Sequence, residues 1–313
     1  MRGATLVGAV IAGLAAVAAA CGTSPTPSGF RAADAGGGGG EGGGGSGDDA
    51  TDLGGGDAGM LSGDATASHD AQPPPPPVAI VYGHSADTLY RLDPNTKQVA
   101  VVGPFQGCTQ VIDIAIDANS NAYVTTFDGF YKLDLKTASC TLVASGSSYP
   151  NSLSFVPEGT LDPNQEALVG YVGSQYVRID TATGAVTNVG QLTGGYQSSG
   201  DIVSVIGGGT FLTVNGTSGC GDCLLQVDPK TGDIVQNYGS VNHGSVFGLA
   251  FWAGTVYGFD NAGQVFSISV QNGQIVTTGI PVPNPPPNLS FWGAGSTTAA
   301  PPTSPDGGGI PIQ

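Results

Sequence analysis

The chain has 313 residues, 53 of them glycine and 22 proline, and its 24 acidic and 8 basic side chains give a formal net charge of −16. Residues 78–313 alone hold 16 acidic and 6 basic side chains. Nucleic acids and anionic lipid headgroups are therefore excluded as expected partners, because both repel a surface with this excess of negative charge.

Residues 1–20 have the pattern of an export signal. Arg2 is followed by an apolar run of small residues that ends at Cys21, which is typical of a signal peptide. The stretch 17–21, VAAAC, resembles a bacterial lipobox, and that resemblance implies that Cys21 is lipidated and becomes the mature N-terminus. An ordinary secretory peptide cut after Ala20 remains an alternative. A single membrane-spanning helix is disfavoured because the apolar run is short and rich in Ala and Gly.

Residues 21–77 are predicted to form a disordered tether. The segment contains GGGGGEGGGG and PPPPP, and its eight acidic side chains face a single base, Arg31. This composition offers too little apolar surface to offset the entropy of ordering. Gly22 stands where an Asp marks inner-membrane retention in enteric lipoproteins, so we expect the outer membrane of the cell envelope. Residues 299–313 are a predicted disordered tail.

From residue 78 to 298 the pattern changes to short strands, and one hairpin recurs five times. Each copy has a strand, a turn around Asp-x-x-Thr-Gly or a variant of it, and a second strand. The equivalent turn positions lie 41 to 48 residues apart, at Asp93, Asp134, Asp180, Asp228 and Ser269. This period is typical of a four-stranded propeller blade. No window has a convincing helical period, so the sequence predicts an all-β fold.

The first repeat lacks the inner strand that precedes the other four hairpins. The stretch LSFW at 289–292 aligns with LSFV at 153–156 and LAFW at 249–252. We therefore expect this C-terminal stretch to complete the first blade, which makes the fold a five-bladed β-propeller closed by both chain ends. A solenoid is the alternative, but it would need capping repeats rather than a displaced strand.

These repeats resemble those of secreted bacterial propellers of the quinoprotein, NHL and YVTN-like group, and the whole chain resembles bacterial β-propeller lipoproteins. The resemblance implies a propeller on a membrane-anchored tether. It implies no activity, because propellers serve both as enzymes and as scaffolds. We expect a monomer that needs no cofactor.

The inner strands of a propeller line its axial channel, so Asp113, Asp117 and Asp201 are candidate channel or ligand-binding residues. Converging carboxylates could bind a cation such as Ca²⁺, or act as acid and base in sugar hydrolysis. The two glutamates of the domain, Glu158 and Glu166, fall in a predicted surface loop. The turn aspartates lack calcium-loop spacing and suit hairpin turns instead. No catalytic set or metal centre is assigned.

The histidines and aromatic residues with possible functional roles are spread over different repeats. His84 and His243 belong to different repeats, and a loop position is expected for each. Tyr149, Tyr196 and Trp252 are candidates for a sugar-binding or peptide-binding platform, with packing in the core or at the rim as the alternative.

Four cysteines remain after Cys21, an even number in an exported protein. The candidate disulfides join Cys108 to Cys140, which would link neighbouring blades, and Cys220 to Cys223, which would close a small loop. Zinc binding by all four is disfavoured because only one pair is close in sequence. A redox role is disfavoured because no helix is expected at the Cys-x-x-Cys.

The leading functional hypothesis is a lipid-anchored, non-enzymatic binding module for a protein or glycan ligand. A carbohydrate-active hydrolase or lyase that uses the channel carboxylates is one alternative, and a structural envelope component is another. If side chains fill the channel, ligand recognition is expected in the loops 144–150, 157–165 and 192–199.

Overall fold

A computed structural model describes residues 81–216 and 219–302, all within one compact unit that runs from Ala71 to Gln313. The predicted signal peptide, Cys21, the tether and the tail beyond residue 302 lie outside the described residues. Among the residues that are described, none forms a helix that is long and apolar enough to span a membrane.

Five four-stranded antiparallel sheets, the blades, contain all twenty strands. Blade 1 has the order β20-β1-β2-β3, and blades 2 to 5 are β4 to β7, β8 to β11, β12 to β15 and β16 to β19. The strands are β1 Val81–His84, β2 Thr88–Leu92, β3 Val99–Pro104, β4 Val111–Ile116, β5 Ala122–Thr126, β6 Gly129–Asp134, β7 Ser139–Ser145, β8 Leu153–Val156, β9 Ala167–Val172, β10 Gln175–Ile179, β11 Val186–Gln191, β12 Gln197–Ser204, β13 Thr210–Asn215, β14 Cys223–Val227, β15 Ile234–Ser240, β16 Val246–Trp252, β17 Thr255–Asp260, β18 Val265–Gln271, β19 Gln274–Ile280 and β20 Gly293–Gly295. The all-β five-bladed propeller is confirmed.

Burial decreases from the inner to the outer strand of each blade. Inner strand β8 is buried at every residue, whereas outer strand β11 has no fully buried residue. Apolar side chains fill the space between blades: Tyr171 and Tyr176 of blade 3, for example, pack in one cluster with Ile202 and Leu212 of blade 4. The inner strands are therefore the most enclosed part of each blade, and the outer strands are the most exposed.

The recurrent aspartates cap the outer hairpin turns, as their sequence context predicts. Asp93 Oδ1 accepts the backbone N–H groups of Asn95 at 2.8 Å and Thr96 at 3.2 Å. Asp134 and Asp180 make the equivalent pairs of bonds. The N–H donors lower the pKa of Asp93 and Asp134, and the hydroxyl of Thr183 together with the N–H donors lowers that of Asp180. The recurrent aspartates therefore cap hairpin turns.

Blade 5 departs from this turn pattern. Ser269, the aligned residue, lies inside β18 and pairs with Val276. The turn comes later, at Asn272 and Gly273, whose φ angles are 53° and 76°. Asn-Gly is the favoured sequence for a two-residue hairpin turn with both φ values positive, so this blade turns without a capping carboxylate.

The C-terminal strand closes blade 1, as predicted, but in a different register. The predicted residues 289–292 precede the strand, and β20 pairs Ala294 with Gly83 as β8 pairs Leu153 with Gly170. The alignment was therefore wrong by five residues. Phe291 has another role, since its buried ring packs against Gly83 and Phe259 and fills the space between blades 5 and 1.

Packing continues past the predicted end of the propeller at residue 298. Ala300 is 1% exposed and belongs to the core cluster of blades 4 and 5. The carbonyl of Thr298 accepts the N–H of Ile206 at 3.0 Å. The first residues of the predicted tail are thus part of the fold.

Both candidate disulfides are present. The bond between Cys108 and Cys140 joins the connection before blade 2 to the outer strand of that blade. The same connection is fixed by the N–H of Cys140, which donates to the carbonyl of Gln106 at 2.7 Å. The bond between Cys220 and Cys223 closes a short loop that ends at the first residue of β14.

Candidate functional site

Asp113 and Asp201 occupy the same position in two inner strands, β4 and β12. The residue after Asp113, Ile114, pairs with Val124, which pairs with Tyr131, three residues before the turn aspartate of blade 2. The residue after Asp201, Ile202, pairs with Leu212, which pairs with Leu225, three residues before the turn aspartate of blade 4. Both aspartates are fully buried at the axis of the ring. Asp113 and Asp201 thus lie at equivalent places on the inner strands of blades 2 and 4.

Each axial carboxylate ties its own blade to the following one. Asp113 accepts the N–H of Ile114 at 2.8 Å and the N–H of Leu153, in blade 3, at 2.6 Å. Buried N–H groups need such partners, because an unpaired one is costly. The acid is thus part of the scaffold that holds the inner strands together.

Asp201 repeats this arrangement two blades further round. It accepts the N–H of Ile202 at 2.6 Å and the N–H of Leu249, in blade 5, at 2.6 Å. The Oγ1 hydroxyl of Thr213 accepts the N–H of Asp201 itself at 3.0 Å. The same kind of hydrogen bond, from a backbone N–H to a buried carboxyl group, therefore joins blade 2 to blade 3 and blade 4 to blade 5.

The two axial carboxyl groups also influence each other's ionisation. Burial raises the pKa of Asp113 and Asp201 well above the usual range, and the nearby Asp201 charge raises that of Asp113 further. Both effects favour the protonated form of the carboxyl group in the folded protein.

His84 belongs to the same axial cluster, which its sequence did not reveal. The expectation of a loop position was wrong: His84 ends strand β1 and is fully buried. Its Nδ1 bonds to the carbonyl of Ser85 at 2.9 Å, and its Nε2 has no hydrogen-bond partner among the described residues. Burial lowers the pKa of His84 to about 4. The imidazole is therefore neutral at physiological pH.

Gly293 lies close to the side chains of both His84 and Asp113. A Cβ atom on Gly293 would collide with His84 Nε2 and would lie 2.6 Å from Asp113 Oδ1. A glycine at this position of β20 is thus a steric requirement of the axial cluster. No motif around His84 could have indicated it, because the juxtaposition depends on strand β20 closing blade 1.

Asp117 does not join the other two acids. It follows β4 at the opposite end, where its carboxylate accepts the N–H of Asn119 at 2.9 Å and the N–H and side-chain Nδ2 of Asn121, both at 2.7 Å. Its role is to cap the turn of residues 117–121. The three candidate acids therefore do not form one channel site.

The geometry of the axial cluster does not suit catalysis on a sugar. A glycosidase needs two carboxyl groups on either side of an accessible substrate. Both axial carboxyl groups are instead buried and accept hydrogen bonds from backbone N–H groups. Within residues 81–216 and 219–302, no group of three or more His, Cys, Asp or Glu side chains is arranged to hold a metal ion.

An open cleft of about 600 Å³, here called the lysine cleft, lies beside the turn of residues 117–121. Lys132 and Lys136 line it together with Asp134. Apolar and hydroxyl side chains form the rest of its wall, including Tyr82, Ile116, Leu133, Leu135, Ser139, Thr141 and Thr297. It has room for a small ligand or a segment of an extended chain.

A second cleft of about 370 Å³, the acidic cleft, lies on the other side of the same turn. Ala118 lines both clefts. The charged residues of the acidic cleft are Asp117, Glu158 and Glu166, and its aromatic residues are Tyr123 and Phe155.

Glu166 lies in the loop before β9, as predicted, and it also links parts of the fold. Its carboxylate accepts the N–H of Ala118 at 2.7 Å and the hydroxyl of Thr298. Glu158, in contrast, is exposed and makes no hydrogen bond or ion pair with any residue that the structure describes. Glu158 is thus the carboxylate of this cleft that is free to meet a ligand.

Of the three predicted recognition loops, residues 157–165 contribute to a cleft, through Glu158, Asn164 and Gln165. The candidate platform aromatics are half-buried and packed. Tyr149 stacks on Phe130, with ring centroids 5.6 Å apart.

Tyr196 and Trp252 likewise pack against core clusters. Their positions favour packing over a binding platform. His243 lies in a loop, as expected, and its ring stacks on that of Phe266 at 3.7 Å.

No protein-family model matches the chain, and no curated protein matches it. Solved structures with a similar fold include hydrazine synthase from Kuenenia stuttgartiensis, with a TM-score of 0.38, 14% identity, and coverage of 71% of this chain and 70% of that one. A protein from Bacteroides caccae has a TM-score of 0.37 and 12% identity, covering 68% and 77%. The β-propeller domain of Cps50 (Swd1) from Myceliophteria thermophila has a TM-score of 0.38 and 12% identity, covering 62% of each chain. At these identities and TM-scores the similarities concern the fold and carry no functional argument.

Proposed function

We propose that this chain is an exported, lipid-anchored protein of the cell envelope whose propeller is a non-enzymatic binding module. The ligand is bound at the lysine cleft and the acidic cleft. The observation that carries this proposal is the contrast between the sealed axial acids and the two open clefts that share the turn of residues 117–121.

The burial of the axial acids disfavours the hydrolase alternative. Asp113 and Asp201 are fully buried, and each uses its two oxygens to accept backbone N–H groups of two blades. A carboxylate committed in this way has no free face for a sugar or for an attacking water. Binding at the surface requires no such group.

The proposed location follows from the sequence. A signal peptide that ends at Cys21 and a tether rich in glycine and acidic residues together favour a lipid anchor with a projecting domain. The acidic domain itself would be repelled by anionic headgroups, so attachment would depend on the lipid.

The experiment is a thermal-shift screen of the full chain against peptides and glycan fragments of the bacterial envelope. A ligand present at a hundred times its dissociation constant stabilises the folded state by about 2.7 kcal/mol. The blocking variant is Ala118→Trp, because this side chain lines both clefts. The matched control is Ala262→Trp, on an exposed turn of blade 5 that Asp260 caps in a similar way.

A ligand whose stabilisation is lost in Ala118→Trp and retained in Ala262→Trp supports the proposal. A ligand that stabilises both variants equally binds elsewhere and overturns the assignment of the clefts. Failure of every peptide and glycan to stabilise the parent protein would favour a structural role in the envelope instead.

A further inference from the structure

The two clefts carry opposite charge. Two of the six basic side chains of residues 78–313 line the lysine cleft, in a part of the chain that is otherwise strongly acidic. No basic side chain lines the acidic cleft, which has three carboxylates. Because Ala118 lines both clefts, the electrostatic potential changes sign across the turn of residues 117–121.

Asp134 offsets one of the two lysine charges of this cleft, so the formal charge of its lining remains positive. Its Oδ1 is directed at its own turn, where it accepts the N–H of Lys136 at 2.7 Å and that of Thr137 at 3.3 Å. Lys132 and Lys136 are exposed, and neither forms an ion pair with another described residue. Their ammonium groups are free to meet an anionic group of a ligand.

The acidic cleft has the features that bind a cation. The exposed carboxylate of Glu158 has no hydrogen-bond partner among the described residues. An ammonium or guanidinium group is attracted by such a carboxylate, while Tyr123 and Phe155 add apolar surface to the wall of the cleft.

Resting on the proposed function, we propose that the ligand is a short peptide that carries both an acidic and a basic side chain. Its acidic group lies over Lys132 and Lys136, its basic group lies beside Glu158, and its backbone crosses the turn of residues 117–121. A peptide fits this pair of clefts because it can hold charges of both signs on one extended chain. Neutral glycans have neither charge, and nucleic acids are repelled by the domain as a whole.

The test is calorimetric titration of the full chain with four peptides of equal length. One has Asp and Lys, one Asn and Lys, one Asp and Gln, and one Asn and Gln, each made with several separations between the two positions. We expect the Asp and Lys peptide to bind about fivefold more tightly than either singly charged peptide, as for partly exposed ion pairs. This gain should shrink at high ionic strength.

Single substitutions assign each charge to its cleft. Lys136→Gln should remove the gain that Asp provides, and Glu158→Gln should remove the gain that Lys provides. Lys230→Gln is the matched control, because Lys230 holds the same turn position in blade 4, where its N–H donates to Asp228 at 2.8 Å. It should leave all four affinities unchanged.

The outcomes separate this inference from the proposed function. If the Asn and Gln peptide or a neutral glycan binds as tightly as the Asp and Lys peptide, and Ala118→Trp abolishes that binding, the clefts are the site but the ligand is not dipolar. If no ligand depends on residue 118, both proposals fail.

Discussion

Asp113 accepts the backbone N–H of Leu153 across the boundary between blades 2 and 3, at 2.6 Å. Asp201 does the same for Leu249 between blades 4 and 5. Asp113 and Asp201 were predicted as channel acids from their place in the ring. In the structure they instead link neighbouring inner strands through hydrogen bonds. Their chemistry bears on stability and on its pH dependence.

Asp113→Ala should lower the free energy of unfolding by about 2–4 kcal/mol, because the buried N–H groups of Ile114 and Leu153 lose their partner. Denaturant titration measures the change. The control is Asp117→Ala, whose N–H donors lie in an exposed turn and can bind water instead. A loss of about 1 kcal/mol or less is expected there. Equal losses in the two variants would show that the axial bonds are unimportant.

The axial pair should make the protein less stable as the pH rises. Burial raises the pKa of Asp113 and Asp201 above the unfolded value of about 4. Their contribution is thus fully present below the unfolded pKa and is lost as the pH rises through the folded one. Each pH unit in that window lowers the free energy of unfolding by up to about 1.4 kcal/mol per group.

The variant Asp113→Asn/Asp201→Asn should remove this slope, and chemical denaturation from pH 4 upward would show it. The turn aspartates have lowered pKa values, so their stabilisation is lost as the pH falls instead. The turn aspartates are present in both the parent and the variant. Their contribution therefore cancels when the two curves of stability against pH are subtracted. Parallel stability curves for parent and variant would contradict the raised pKa values of the axial pair.

Gly293→Ala should destabilise the ring by about 1–3 kcal/mol, since the new methyl group would overlap His84 and Asp113. Gly279→Ala is a matched strand control with no atom within 4 Å of the added Cβ. Its effect should stay within about 0.5 kcal/mol. Thermal or denaturant unfolding of the two variants decides between them, and similar stabilities would mean that the axis is loosely packed.

The two disulfides should contribute unequally. Cys108 and Cys140 are 32 residues apart in sequence, whereas Cys220 and Cys223 are 3 apart. In the loop-entropy description the longer loop contributes about 3–4 kcal/mol, and the shorter one about 2 kcal/mol or less. Unfolding of Cys108→Ala/Cys140→Ala and Cys220→Ala/Cys223→Ala under oxidising conditions would test this order. A larger loss for the second pair would contradict it.

Cys21→Ser should abolish incorporation of labelled palmitate and release the protein from the membrane fraction. The expected reason is that the lipid is the sole attachment, because the acidic domain is repelled by anionic headgroups. Cell fractionation with Cys108→Ser as the control measures this. Unchanged membrane association of Cys21→Ser would favour an uncleaved signal anchor.

The number of blades, the hairpins and the closure by the C-terminus could be predicted from the amino-acid sequence alone. These features are encoded locally, since a period of 41 to 48 residues, strand alternation and Asp-capped turns each depend on neighbouring residues. The pairing of the cysteines also followed from the order of the blades.

The register of β20 and the residues at the axis become visible only in the folded chain. Leu289 and Ala294 both lie in stretches compatible with an inner strand, and in the fold Ala294 is the residue that pairs with Gly83. The burial of His84 with Asp113, and the opposite charges on the two sides of the turn at Ala118, depend on how blades distant in sequence meet around the ring. A single sequence carries no local signal for such contacts.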